Sequence, residues 1–464
     1  MFSRRVRSAA LAVSTLLAAA TTRADVAPAP LFSAGAVLQR DRALPVWGRA
    51  TPGERVTVAF AGQTIGTVTG ADGRWIVFLA PLAATAAGAD LTIAGNNTVV
   101  VREVVVGDVW LCAGGANMAA PLAARPVPAP AGRPSPIPAD LAALRLPLIR
   151  QWRPPAGPDS AANAGAAASS PGGESAWQPA VPPALGAFSA VGFAFARELQ
   201  TKIGVPLGLI AVAAAGTPIE TWLPPSPESG AGALYAARLA PLLPAALRGV
   251  LWYHGEEDVG RAAAYHPAFL ALVAGWRTQF AQPELPFFWV NLAGHAPAAD
   301  HLARGRSWAH LRDAQTRALA LPHTAQAVAI DLAADPKNVL AVDHAEVGRR
   351  LALLARRRVF GATLDDSGPV FAAATREGAA LRVTFDHADT GLIAHGKPMG
   401  AVEIAGADRV FHVAQVRLER DTLLASSPAV PAPVAVRYAW SNAPDANLFN
   451  GAGLPALPFR SDNW

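Results

Sequence analysis

Apolar positions follow two rhythms along the chain, and the rhythm changes twice. From residue 25 to about 105, short alternating or β-branched runs (44–47, 56–60, 64–69, 75–79, 91–93 and 99–106) are separated by turn pairs such as Pro52-Gly53, Asp72-Gly73 and Gly95-Asn96. A period of two between turns predicts a small all-β domain over 25–105. From residue 104 the runs lengthen and alternate in kind: an apolar strand at 104–112, helical spacing at 188–203, apolar strands at 206–214, 249–253 and 286–292, and helices at 267–280 and 343–360. Buried strands alternating with helices predict an α/β domain over 106–362, a parallel sheet covered on both faces. Within it, 119–183 is rich in Ala, Pro, Gly and Ser and lacks periodicity outside 141–152, so most of it reads as an inserted loop. Strand-like runs return over 367–464 and predict a second β domain.

Composition narrows the class. The chain has 464 residues, 52% hydrophobic and 16% charged, which excludes a mainly disordered protein and allows two to four cores. The formal charge of +5 is concentrated at the start: Arg4, Arg5, Arg7 and Arg23 lie in the first 24 residues, which hold no acidic side chain. Without them 35 basic residues face 34 acidic ones, so no basic surface for nucleic acid is expected. The same 24 residues pair an arginine cluster with an apolar run at 9–20 and small residues around Arg23, the pattern of a cleaved secretory signal. The run is shorter than a membrane span, and no later stretch is long enough, so a secreted or periplasmic protein without a membrane span is expected. With Cys112 the lone cysteine, no disulfide forms within the chain.

Nucleotide-loop, zinc-protease, dithiol and dinucleotide-binding motifs are all missing, and ten scattered histidines show no metal spacing. No metal or cofactor is therefore expected. The sequon Asn96-Asn97-Thr98 decides nothing.

The informative stretch is 107–118, Gly-Asp-Val-Trp-Leu-Cys-Ala-Gly-Gly-Ala-Asn-Met, an apolar strand ending in a Gly-Gly turn, where open α/β sheets place their ligands. It resembles the nucleophile block of SGNH hydrolases of the sialate O-acetylesterase branch, whose version reads G-D-V-W-L-C-S-G-Q-S-N-M. The resemblance continues through Gly208-Leu209-Ile210, 216–222, the block Trp252-Tyr253-His254-Gly255-Glu256-Glu257-Asp258, the run Leu311-Arg312-Asp313-Ala314-Gln315 and 347–351. It implies an SGNH-like three-layer α/β fold flanked by β domains, and acetylated glycans or O-acetylated sialic acid as ligands.

Ester cleavage of that type needs an attacking hydroxyl, a histidine base, an acid to orient it, and donors for the oxyanion. By the resemblance the nucleophile position holds Ala116. Aligned without a gap, 334–348 places Asn338 at the acid and Leu340 at the histidine; sliding the register onto Pro336-Lys337-Asn338 places Asp335 at the histidine instead. His344, four residues beyond Leu340, is the candidate for a relocated base, displaced by about one helical turn. Gly216 keeps its backbone donor. The second oxyanion position holds Asp258, an acceptor, and Gly115, Asn117, His254 and Glu256 complete the expected pocket. His254 and Glu256 have a plainer reading too, as a hydrogen-bonded histidine at a strand end and a carboxylate tied to backbone amides. Cys112 and Ser307, the latter near His301 and His310, are the conceivable substitute nucleophiles; Cys112 reads better as a buried structural thiol.

Three functions remain at this stage: a non-catalytic glycan- or partner-binding pseudo-esterase, a working carboxylic-ester hydrolase with relocated base and nucleophile, and a β-rich export protein whose central domain is a spacer.

Overall fold

The protein is represented by a computed structural model that describes residues 25–124, 137, 140–154, 176–227, 230, 232–296, 305–396 and 398–464. The expected leader and most of the Ala/Pro-rich stretch lie outside these residues.

The N-terminal strands are β1 (Ala27–Pro28), β2 (Val37–Gln39), β3 (Leu44–Arg49), β4 (Arg55–Phe60), β5 (Gln63–Val68), β6 (Arg74–Leu79) and β7 (Thr85–Ala94). They lead into β8 (Thr98–Gly114), a strand of 17 residues. The expected boundary at 105/106 falls inside this strand. Its first half pairs antiparallel with β7, Ile93 opposite Val99, and its second half runs in the central sheet, Asp108 opposite Leu207. Ladder hydrogen bonds on one continuous strand, not a linker, therefore join the two parts. Asp108 is fully buried at the junction and is held by Arg40 and Arg248, with Arg248 Nε donating to it at 2.7 Å.

The other central strands are β9 (Leu146–Trp152), β10 (Gln178–Ala180), β11 (Leu207–Ala211), β12 (Gly249–Tyr253), β13 (Phe287–Asn291) and β14 (Thr324–Val328). Their order is β10-β9-β11-β8-β12-β13-β14. The expected all-parallel sheet is corrected to a mixed one, because β10 pairs antiparallel with β9 at the edge. Both β9 and β10 come from the 119–183 stretch: β9 falls in its periodic part, 141–152, whereas the edge strand β10 lies in the part read as loop and is three residues long. Neither length nor alternation marked β10. β8 lies between β11 and β12, so the chain fills one side of β8 and then the other. The carboxyl end of β8 is thus the topological switch point, where α/β sheets open a crevice.

Helices α1 (Ala116–Ala119), α2 (Ala190–Ile203), α3 (Ala262–Gln279), α4 (Ser307–Arg317) and α5 (His344–Arg358) connect the strands. α2 starts where the Ser189 side chain accepts from the Gly192 N–H and stops at Gly204, whose φ of 69° suits a residue without Cβ. α3 begins five residues before the expected Pro267, because Tyr265 and Phe269 are both fully buried and carry the apolar face through the proline. α5 is capped by Asp343, which accepts from the Glu346 N–H.

α5 lies against α2 at Gly348. A Cβ there would sit 2.5 Å from the Val191 carbonyl oxygen and 2.6 Å from Ala194 Cβ. Because both obstacles are near-rigid parts of a helix, Gly348→Ala is expected to cost ~3 kcal/mol, the upper part of the overpacking range. Urea unfolding reads this as a lowered midpoint with unchanged slope; an unchanged midpoint would mean the helices separate freely.

Beyond α5 the chain forms three small antiparallel sheets around a second core that includes Val383, Ile404, Leu423, Val436 and Tyr438. Val328 and Ile330, at and just after the end of β14, belong to the same cluster, so this C-terminal module is packed on the central sheet through apolar contact.

Candidate functional site

Two glycines end β8. Gly114 has φ 134°, and a Cβ there would lie 2.1 Å from the Tyr253 carbonyl, so only glycine lets β8 and β12 approach here. Gly115 donates its N–H to that carbonyl at 2.7 Å. The chain then turns into α1, placing Ala116 as its first residue and burying Asn117 behind it.

Asn117 is the hub. Its Nδ2 donates to Glu256 Oε1 at 2.7 Å and to the Val339 carbonyl at 3.2 Å, while its Oδ1 lies 2.8 Å from His344 Nε2. Since an amide oxygen only accepts, the His344 ring is assigned as the Nε2–H tautomer, donating. One side chain thus joins three segments: the end of β8, the turn after β12 and the start of α5. Burial pulls His344 down to about 4, which leaves the ring neutral at pH 7. Burial pushes the Glu256 carboxyl up, against the hydrogen bond from Asn117, which favours its charged form.

Next to this hub is a small pocket of about 10 Å³, lined by Asn117, Glu256, Tyr253, His295, Trp308 and Val339 over the backbone of 292–294. The buried Tyr253 hydroxyl and His295 Nδ1 have no hydrogen-bond partner among the described residues. Burial raises the Tyr253 phenol well above its ordinary value, and the nearby Glu256 carboxylate adds to the effect. The His295 ring leans on Trp308, centroids 4.9 Å apart.

The remaining expected site residues separate into two groups. His254, almost fully buried, stacks on Trp252 at 4.7 Å and donates from Nε2 to the Thr217 carbonyl at 2.7 Å. Burial pulls its ring to about 4. Asp258 accepts from the Ile219 N–H at 3.1 Å and from Arg261, which also forks onto Glu220 at 2.9 and 3.0 Å. Burial lifts Asp258 to about 6, although Arg261 opposes the shift. These bonds tie both side chains to the turn after Gly216. That glycine is exposed, with φ 68° and open space where a Cβ would be.

Asn338 and Leu340 lie on the loop before α5. The Asn338 side chain accepts from the Leu340 N–H at 3.0 Å, a local turn, and Leu340 is 43% exposed. Asp335, the alternative from the shifted register, accepts from the Lys337 N–H at 2.9 Å in the same exposed loop. Val339, between Asn338 and Leu340, is the residue whose carbonyl reaches Asn117.

Cys112 is fully buried on β8, its thiol 3.3 Å from where a Cβ on Gly192 of α2 would stand, and burial pushes it up to about 12. The thiolate is the reactive form, so this thiol is inert. Ser307 is buried at the start of α4, its Oγ 3.5 Å from Asn442 Oδ1. His310 packs on Trp440, and His301 lies outside the described residues. No group of three or more potential metal ligands occurs among the described residues, and no described helix is long and apolar enough to cross a membrane.

The sequence reading missed His295 and Trp308. His295 follows the apolar strand β13 by four residues, at the same carboxyl edge as Gly114, and that position was the available signal.

A pocket at the switch point of a doubly covered α/β sheet, with β modules on either side, defines a protein of the SGNH carbohydrate-esterase class. The family described as carbohydrate esterase, sialic acid-specific acetylesterase, matches residues 106–356, and the chain belongs to that family. It is 37% identical to a structurally characterised carbohydrate acetylesterase from Xanthomonas citri, covering 95% of this chain and 100% of that one with a TM-score of 0.82. It is 30% identical to the sialate O-acetylesterase of Homo sapiens over 298 residues, 53% of this chain and 51% of that protein. It is 26% identical to that of Rattus norvegicus over 396 residues, 68% of this chain and 70% of that protein. The chain thus spans about half the length of the first curated relatives it matches.

Proposed function

We propose that this protein binds an acetylated glycan, an acetylated plant polysaccharide or O-acetylated sialic acid, at the carboxyl edge of β8 and leaves the acyl group in place. One observation carries the reading. The residue that opens α1 ends in a methyl group, and His344, at the start of α5, is bonded to the amide of the adjoining Asn117 and not to a hydroxyl or thiol. Without an attacking oxygen at that position no acyl-enzyme forms there. The leader-like first 24 residues support export, where such glycans are met.

The second reading, an esterase with a relocated base, is favoured by the neutral His344 ring beside α1. One experiment separates the two. The folded chain is mixed with 4-nitrophenyl acetate and, separately, with acetylated xylo-oligosaccharides and 9-O-acetylated sialic acid, following nitrophenolate release and ligand NMR. The binding reading expects line broadening of an acetylated sugar whose acetyl signal persists, with nitrophenolate release at the level of an unfolded control. Release well above the control that disappears in His344→Ala establishes the esterase instead.

A further inference from the structure

Arg312, on α4, is a buried ionisable group for which the site chemistry has no use. It is 0% exposed, no acidic side chain pairs with it among the described residues, and its Nε is without a partner. Burial pulls the guanidinium down to about 9. A buried cation without a counter-charge has to be held by the dipoles around it, so its contacts matter to the fold there. Those contacts are three main-chain carbonyls. Nη1 donates to Ala293 at 3.4 Å and to Asn442 at 3.3 Å, and Nη2 donates to Ser441. Ala293 belongs to the loop that walls the pocket, whereas Ser441 and Asn442 form a corner of the C-terminal module.

The same corner makes four other contacts, three of them with the pocket wall. The His295 N–H donates to the Asn442 carbonyl at 3.0 Å, and the Asn442 N–H donates to the Gly305 carbonyl at 3.0 Å. Asn442 Oδ1 accepts from the Trp308 N–H at 3.0 Å, which caps α4. A Cβ on Gly294 would come within 3.3 Å of Ala443 Cα, so the two backbones touch. From this wall the Ala296 N–H reaches the Pro336 carbonyl at 2.8 Å, on the loop that carries Asn338 and Leu340.

We propose that the C-terminal β module is a working part of the pocket, and that Arg312 is the positioning residue that locks its 441–443 corner onto the 292–296 wall. A planar guanidinium suits this task because its fixed fork serves carbonyls on two segments at once, which a flexible ammonium does not. His295 and Trp308 thereby take their places from a module outside the α/β domain.

Hydrogen exchange on the full chain tests it. In Arg312→Met the amides of His295, Trp308 and 442–443 are expected to exchange about tenfold faster or more, with β11 and β12 unchanged, as for a local opening. Arg350→Met, which breaks a buried pair with Asp331 and Glu346, is the control; it is expected to lower overall stability without selecting those amides. Should Arg312→Met fail to fold, Asn442→Ala removes the α4 cap from the other side and is expected to loosen the same amides. Uniform loosening in Arg312→Met, matching the control, overturns the proposal, as does a loosened 441–443 with an unmoved 292–296. Failure of the wild-type chain to bind any acetylated sugar would remove the glycan reading alone, since the exchange pattern decides this inference by itself.

Discussion

Ala116→Ser alone is expected to leave 4-nitrophenyl acetate hydrolysis at the wild-type level, whereas Ala116→Ser with Asn338→Asp and Leu340→His is expected to raise it ~10³-fold, because triad members act as a unit. The three changes are made together because the resemblance assigns them as a set and one loop contact brings their segments together. Ala116 opens α1, and the loop holding Asn338 and Leu340 is pinned to the neighbouring Asn117 by the Val339 carbonyl at 3.2 Å. Leu340 is 43% exposed, so an imidazole has room there, and aspartate at 338 keeps the acceptor that now closes the turn onto the Leu340 N–H. The measurement is initial rate against enzyme concentration, with His344→Ala made in each background. If Ala116→Ser alone matches the triple variant and loses its rate with His344→Ala, then His344 is a competent base and the binding-only reading fails.

The site was legible wherever chemistry is written in one residue and hidden wherever distant segments meet. The resemblance put Ala116, Asn117 and Glu256 in one pocket, and the apolar runs 104–112 and 249–253 put the strands before them side by side in the sheet. His344 was expected to be a helical turn out of place, yet its Nε2 lies 2.8 Å from Asn117 Oδ1. That contact spans 227 residues, and local spacing has no access to it. Asp258 was expected to face the reacting centre and instead caps the Ile219 N–H, since a carboxylate takes the donor within reach. Strand β10 was invisible for another reason: three residues at a sheet edge carry no period. The Asn442 corner lies 130 residues from Arg312, and the charged residue gave no hint that carbonyls, not acids, would receive it.

Lowering the pH from 7 to 4 is expected to remove ~3 kcal/mol of stability through His344 and a similar amount through His254. Burial holds both folded rings at about 4, while the unfolded chain protonates near 6.5. Between those values the unfolded state takes up protons that the native state refuses, so stability falls with pH, and the loss stops once the folded rings protonate. Asp258 opposes this. Raised to about 6 from 3.8, it is protonated in the folded state first, and the fold gains stability as pH drops through that window. Glu256 has the same sign. The wild-type curve therefore mixes losses with gains, and a variant isolates the histidine. His344→Gln keeps an N–H for Asn117 Oδ1 and removes the titration, so the gap between its urea-unfolding curve and that of the wild type should shift by ~3 kcal/mol in the variant's favour from pH 7 to 4. Parallel curves would mean that the ring titrates in the fold as it does in the unfolded chain. Between pH 8 and 5 the His344 ring stays neutral, so a change in acetylated-glycan affinity over that range is expected to persist in His344→Gln and to follow the carboxyls of Asp258 and Glu256 instead.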